Sequence, residues 1–232
     1  MKNLVDPLRF PGWLAGYVLL LLISIIVPVN SQAKDTQLCS PQVIAHPIKG
    51  GYTWTLASRL GKFLEMAESE YGERDKSWTI LGVEFTDEKQ PSNWYPFDST
   101  EKDIIIQLTS DAANNEKKAL FQLSHEVIHV LSPNGTRKAT YFEEGLATYF
   151  SIQATRQAGI DISPSYITSA KYHRAYYLLE KIYQLHPDAS QRIATFRKSG
   201  QSLSTLSATG LRQLFPRIDA TTARELARRF HE

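Results

Sequence analysis

The chain has 232 residues, with 26 Lys and Arg against 24 Asp and Glu, so its formal net charge is only +2. That length suits one domain plus a terminal segment, and an apolar content of 42% is enough for a core. So even a charge balance, without a dominant basic run, argues against a nucleic-acid partner, and the single cysteine, Cys39, excludes an internal disulfide in the monomer.

In chain order, Lys2 and Arg9 precede a run from Leu14 to Val29 whose only polar members are Tyr17 and Ser24. Ser31-Gln32-Ala33 then offers small residues of the kind a signal peptidase accepts. Residues 1–33 are read as a secretory signal peptide, with an uncleaved membrane anchor as the alternative because the run approaches the length of a short span. Either reading places residues 34–232, taken as a single domain, outside the cytoplasm: exported, periplasmic or extracellular.

Breakers at Pro41, Pro47 and Gly50-Gly51 surround a short candidate strand at Val43-Ile44. Apolar residues recurring at Leu56, Leu60, Phe63, Leu64 and Ala67 predict a helix from about Trp54 to Tyr71. Residues 78–85 read as a strand, residues 86–102 as a polar loop carrying Trp94, Tyr95 and Phe97, and residues 103–108 as a second strand. No third strand is as strong, which predicts a small sheet. Asn114 or Asn115 caps a helix running to about Leu131, with Leu120, Leu123, Val127 and Val130-Leu131 on its core face. Helices over 138–157 and 165–185 follow, then short helices ending with 220–230. The fold class is therefore α+β, with a short mixed sheet and a mostly helical C-terminal half.

The opposite side of the 114–131 helix carries His125-Glu126-Val127-Ile128-His129, an H-E-x-x-H pattern. Residues four apart lie on one helical face, so both imidazoles can reach one metal ion. Glu126 sits beside that pair, placed to act as base toward a metal-activated water. Two solvated histidines without a metal are the plainer reading.

A catalytic metal usually has a third protein ligand. A histidine at H-E-x-x-H-x-x-G-x-x-H spacing is absent, since Ser132 and Gly135 occupy the positions that would need Gly and His. An acidic ligand is expected instead. Glu143 and Glu144 are the candidates, flanked by Tyr141-Phe142 and Leu146-Ala147, where a buried carboxylate without a partner is costly.

H-E-x-x-H followed by Glu143-Glu144-Gly145-Leu146-Ala147-Thr148 resembles the gluzincin clan of zinc metallopeptidases, which includes thermolysin and the aminopeptidase-N family. The resemblance covers roughly residues 100–185 and implies a zincin-like domain whose 114–131 helix is the active-site helix. It implies one zinc ion held by His125, His129 and Glu144, with Glu126 as general base and Glu143 where aminopeptidase-N relatives carry Asn. Fourteen residues separate His129 from Glu144, fewer than in aminopeptidase N, which fits a small, trimmed member. Tyr172-His173-Arg174-Ala175 resembles the Y-E-K-G-type stretch that supplies an oxyanion donor, with Ala for Gly. Tyr172 is the candidate donor and His173 the second choice. Such enzymes hold an extended peptide along an edge strand, for which residues 103–108 are the candidate. No G-x-M-E-N-type stretch for a free amino terminus is found, which favours an endopeptidase.

The expected function is thus an exported peptidase acting on peptide or protein substrates, with a membrane partner only if the N-terminal segment stays uncleaved. Its rivals are a non-catalytic zincin-fold binding or scaffolding protein and a membrane-anchored envelope protease. Oligomeric state has no signal in the sequence.

Overall fold

A computed structural model describes residues 45–96, 101–136 and 138–231. The expected signal segment, the candidate strand at Val43-Ile44 and Cys39 lie outside them. No helix among the described residues is long and apolar enough to cross a membrane.

The chain enters through a hairpin, β1 (Ala45–Ile48) against β2 (Gly51–Thr55), antiparallel around the turn at Lys49-Gly50. Gly50 takes φ 89°, a conformation that glycine adopts without a Cβ clash. Thr55 ends the strand and caps α1 (Leu56–Tyr71). Its hydroxyl accepts from Ser58 N at 3.2 Å while Ser58 Oγ accepts from Thr55 N at 2.8 Å, a reciprocal capping box.

A mixed three-stranded sheet follows, with β3 (Thr79–Thr86), β4 (Ser92–Trp94) and β5 (Asp103–Thr109). β5 is central, parallel to β3 (Val83 opposite Ile106) and antiparallel to β4 (Asn93 opposite Ile106). Ile104, Ile106 and Leu108 alternate along β5 and are fully buried. The fold class is therefore α+β with a short mixed sheet, as expected. Two details differ. The 86–102 loop contains β4, only three residues long. The 103–108 strand, expected to be the peptide-binding edge, has both neighbours occupied, so it has no free backbone edge to offer; β4 is the edge beside the cleft described below.

A short 3₁₀ turn (Ser110–Ala112) leads to α2 (Glu116–His129), whose N-cap Asn115 accepts from Lys118 N at 3.0 Å. Leu120, Leu123 and Val127 are fully buried, as the periodicity requires. The polar face of α2 differs from a solvated one: Gln122, His125 and Glu126 are buried too. Gln122 Oε1 accepts from Thr109 N at 3.0 Å, tying α2 to the end of β5.

Then come α3 (Tyr141–Gln157), a 3₁₀ turn at Pro164–Tyr166 where a helix start was expected, and α4 (Ala170–Leu185). α5 (Ala189–Lys198), α6 (Ala208–Leu214) and α7 (Ala220–Ala227) complete the helical half. α3 packs between α2 and α4. Gly145 makes the α3–α4 approach possible, because a Cβ there would stand 2.5 Å from the Ala175 carbonyl oxygen. The expected last helix stops at Ala227; beyond it the backbone extends and pairs with the entry to α3. Tyr141 N donates to Arg228 O and Phe230 N to Ala139 O, each at 3.0 Å, around a bridge between Thr140 and Arg229.

Candidate metal centre

His125 and His129 lie on the last turns of α2, and Glu144 lies in the first turn of α3. The crossing of these two helices brings the three side chains together. His125 Nε2 is 3.4 Å from His129 Nε2 and 3.1 Å from Glu144 Oε2, and His129 Nε2 is 3.8 Å from Glu144 Oε1. This is a buried group of ligand atoms, all within 4.8 Å of one another, that could hold a metal ion. Its fit is testable by geometry. Tetrahedral bonds of about 2.0–2.1 Å put ligand atoms about 3.3 Å apart, which these separations approximate.

The electrostatics point the same way. Burial works against charge on His129, but the carboxylates of Glu144 and Glu143 overcome it and push its imidazole up to about 10. Burial likewise opposes ionisation of Glu144, yet His129, His125 and His231 hold its carboxyl below the usual range. Glu144 also sits in the first turn of α3, where the helix dipole favours negative charge.

Glu143 has a different job from Glu144. His129 Nδ1–H donates to its Oε1 at 2.8 Å, so that a metal replacing the other ring proton would meet Nε2 of His129, which faces the ligand group. Of the two acidic candidates, then, Glu144 falls within the group that could hold a metal and Glu143 contacts one of its histidines. Thr140 fixes this arrangement by capping α3, its hydroxyl accepting from Glu143 N at 3.3 Å.

A cleft of about 980 Å³ opens over the group. Glu126, 3% exposed as a residue, lines it beside the two histidines. Strand β4 forms one wall and is stapled to α2, since Asn93 Nδ2 donates to the Glu126 backbone carbonyl at 3.1 Å. Tyr172, on α4, also lines the cleft. Its ring stands edge-on to His125 at 5.6 Å between centroids and packs on Phe230 at 4.7 Å. Burial, with the charges of Glu144 and Glu126, raises the Tyr172 phenol well above its ordinary value, so it is a neutral donor. Its hydroxyl donates to Gln90 Oε1 at 3.2 Å.

His125, Glu126, His129, Glu144 and Tyr172 are thus brought together, whereas His173 is exposed and faces the far side of α4, stacking on Tyr177. Glu143's orienting contact, Asn93, Gln90 and His231, which lines the cleft, were not singled out by sequence. The buried context of Glu143 was a partial signal; the other three carried none. No protein-family model, curated protein or solved structure matches the chain.

Proposed function

We propose that the chain is a zinc-dependent peptidase, exported from the cytoplasm, that hydrolyses peptide bonds within peptide or protein substrates. The observation that carries this reading is the convergence of two imidazoles and a carboxylate with a further carboxylate, Glu126, in one cleft. Two nitrogen donors and one oxygen donor suit zinc, and three protein ligands match a catalytic rather than a closed structural site. The resemblance of the His125–Thr148 region to gluzincin metallopeptidases supports the same assignment, and the apolar run at 14–29 supports export.

When bound, zinc supplies Lewis acidity, polarising a carbonyl and acidifying a water. His125, His129 and Glu144 would hold it, with Glu143 fixing the His129 ring. Glu126 takes the proton from the attacking water and later delivers it to the leaving amine. Tyr172 donates its hydroxyl hydrogen to the carbonyl oxygen as negative charge builds there. An extended substrate would pair with the free edge of β4, whose three residues suffice to register the chain.

The test is Glu126→Gln. It should retain zinc by elemental analysis while peptide hydrolysis falls by about 100-fold or more. Wild-type cleavage by this variant would remove Glu126 as the base. Chelation should abolish wild-type hydrolysis, and added zinc should restore it.

A further inference from the structure

We infer that Gln90 is a positioning residue for Tyr172: its side-chain carbonyl holds the Tyr172 hydroxyl across the cleft at rest and yields it to the substrate carbonyl oxygen. The inference rests on the peptidase reading above.

Gln90 lies in the segment between β3 and β4, two residues before the edge strand, and Tyr172 lies on the facing helix α4. The hydrogen bond between them joins residues 82 positions apart, both of which line the cleft. The Tyr172 ring is already fixed without Gln90. His125 meets its edge, and Phe230, 1% exposed and tied by its backbone to Ala139, supports its other side. What packing leaves unset is where the hydroxyl hydrogen points. A phenol has one such hydrogen, so it serves one acceptor at a time.

Gln90 is that acceptor at rest. It is a neutral amide, weaker than a carbonyl oxygen acquiring negative charge, so the hydroxyl changes partner as the reaction advances. The hydrogen bond is thereby realised most strongly where it accelerates the step.

Two substitutions of similar size separate this role from a structural one. Gln90→Glu supplies a charged acceptor that releases the hydroxyl reluctantly, and should lower kcat by about fivefold with KM little changed. Gln90→Met removes the amide acceptor and should leave kcat within about twofold, because the hydroxyl is then free for substrate. In a Tyr172→Phe background both substitutions should lose their effect. A second readout needs neither metal nor turnover: with tyrosine labelled at Cζ with carbon-13, the Tyr172 resonance of metal-free protein should move in opposite directions in Gln90→Glu and Gln90→Met. An unmoved resonance, or a Gln90→Glu effect of equal size in Tyr172→Phe, would overturn the role. If the resonance moves but the wild-type protein cleaves no peptide, the hydrolase reading falls and the pairing of the two residues stands.

Discussion

Glu143 Oε1 and His129 Nδ1 lie 2.8 Å apart, and that contact decides which nitrogen of His129 is left for a metal. Glu143→Ala frees the ring to rotate and to change tautomer. Metal affinity, measured by competition with a chromophoric chelator, should fall by about 10–100-fold. Glu143→Gln keeps an acceptor oxygen and should lose less. Equal affinities in all three proteins would deny the carboxylate its orienting role.

Gly145 sets the spacing between the third ligand's helix and the helix that carries Tyr172. Gly145→Ala places a methyl group 2.5 Å from the Ala175 carbonyl oxygen, backbone that cannot swing aside. The expected cost is about 1–3 kcal/mol in chemical denaturation, despite alanine's better helix propensity. Zinc content should survive, since His125, His129 and Glu144 all lie on α2 and α3. On the peptidase reading, hydrolysis should fall further than metal content, because the displaced helix carries Tyr172.

Arg197 closes the C-terminal end of α2, just past His129. Its guanidinium, on α5, donates to the carbonyls of Tyr71, Gly72, Glu73 and Leu131 at 2.5–2.8 Å, and its Nε to Ser132 Oγ at 3.0 Å. Burial lowers its pKa to about 10, still charged at neutral pH. Arg197→Met removes the donor to the carbonyls of Tyr71, Gly72 and Glu73, while Leu131 O keeps its bond from Asp75 N, and should destabilise the protein by about 3 kcal/mol. The denaturant midpoint measures this directly.

His186 gives the fold a pH dependence away from the cleft. It is 4% exposed, and its Nε2 accepts from Arg217 N at 3.2 Å, a bond that needs the neutral ring. Burial first, then the charges of Arg192 and Arg217, hold its pKa below 6.5, with Asp188 opposing them. The unfolded chain therefore binds this proton more readily than the folded one. The contribution is intact above about pH 6.5 and is lost as pH falls from there through the lowered folded value. The melting temperature should decline over that window. In His186→Gln, which keeps an acceptor for Arg217 N, the decline should be shallower.

The parts of this site legible in sequence are those set by helical periodicity. His125 and His129 share a face because they are four apart, and the apolar spacing of Leu120, Leu123 and Val127 fixes which way that face turns. Glu144 was reachable as one of two acids in a buried setting, though distinguishing it from Glu143 required the angle between two helices. β4 was missed because three residues carry no usable alternation, and this misdirected the expected peptide-binding edge to β5. Arg197 and Gln90 act through contacts to residues remote in sequence, and no local pattern records such contacts. The extended stretch after Ala227 has the same character, since its partners are backbone groups at 139–141.

That last pairing bears on when the site can form. The residue that braces the start of α3, Arg229, is made nearly ninety positions after Thr140, and Phe230, which supports the Tyr172 ring, nearly sixty after that tyrosine. A growing chain has both histidines and Glu144 long before it has Arg228 to Phe230, and contacts so distant in sequence close late. The bracing of the cleft is thus among the last things this molecule completes, and on the peptidase reading proposed above its own unfinished chain would meet a site not yet fully assembled.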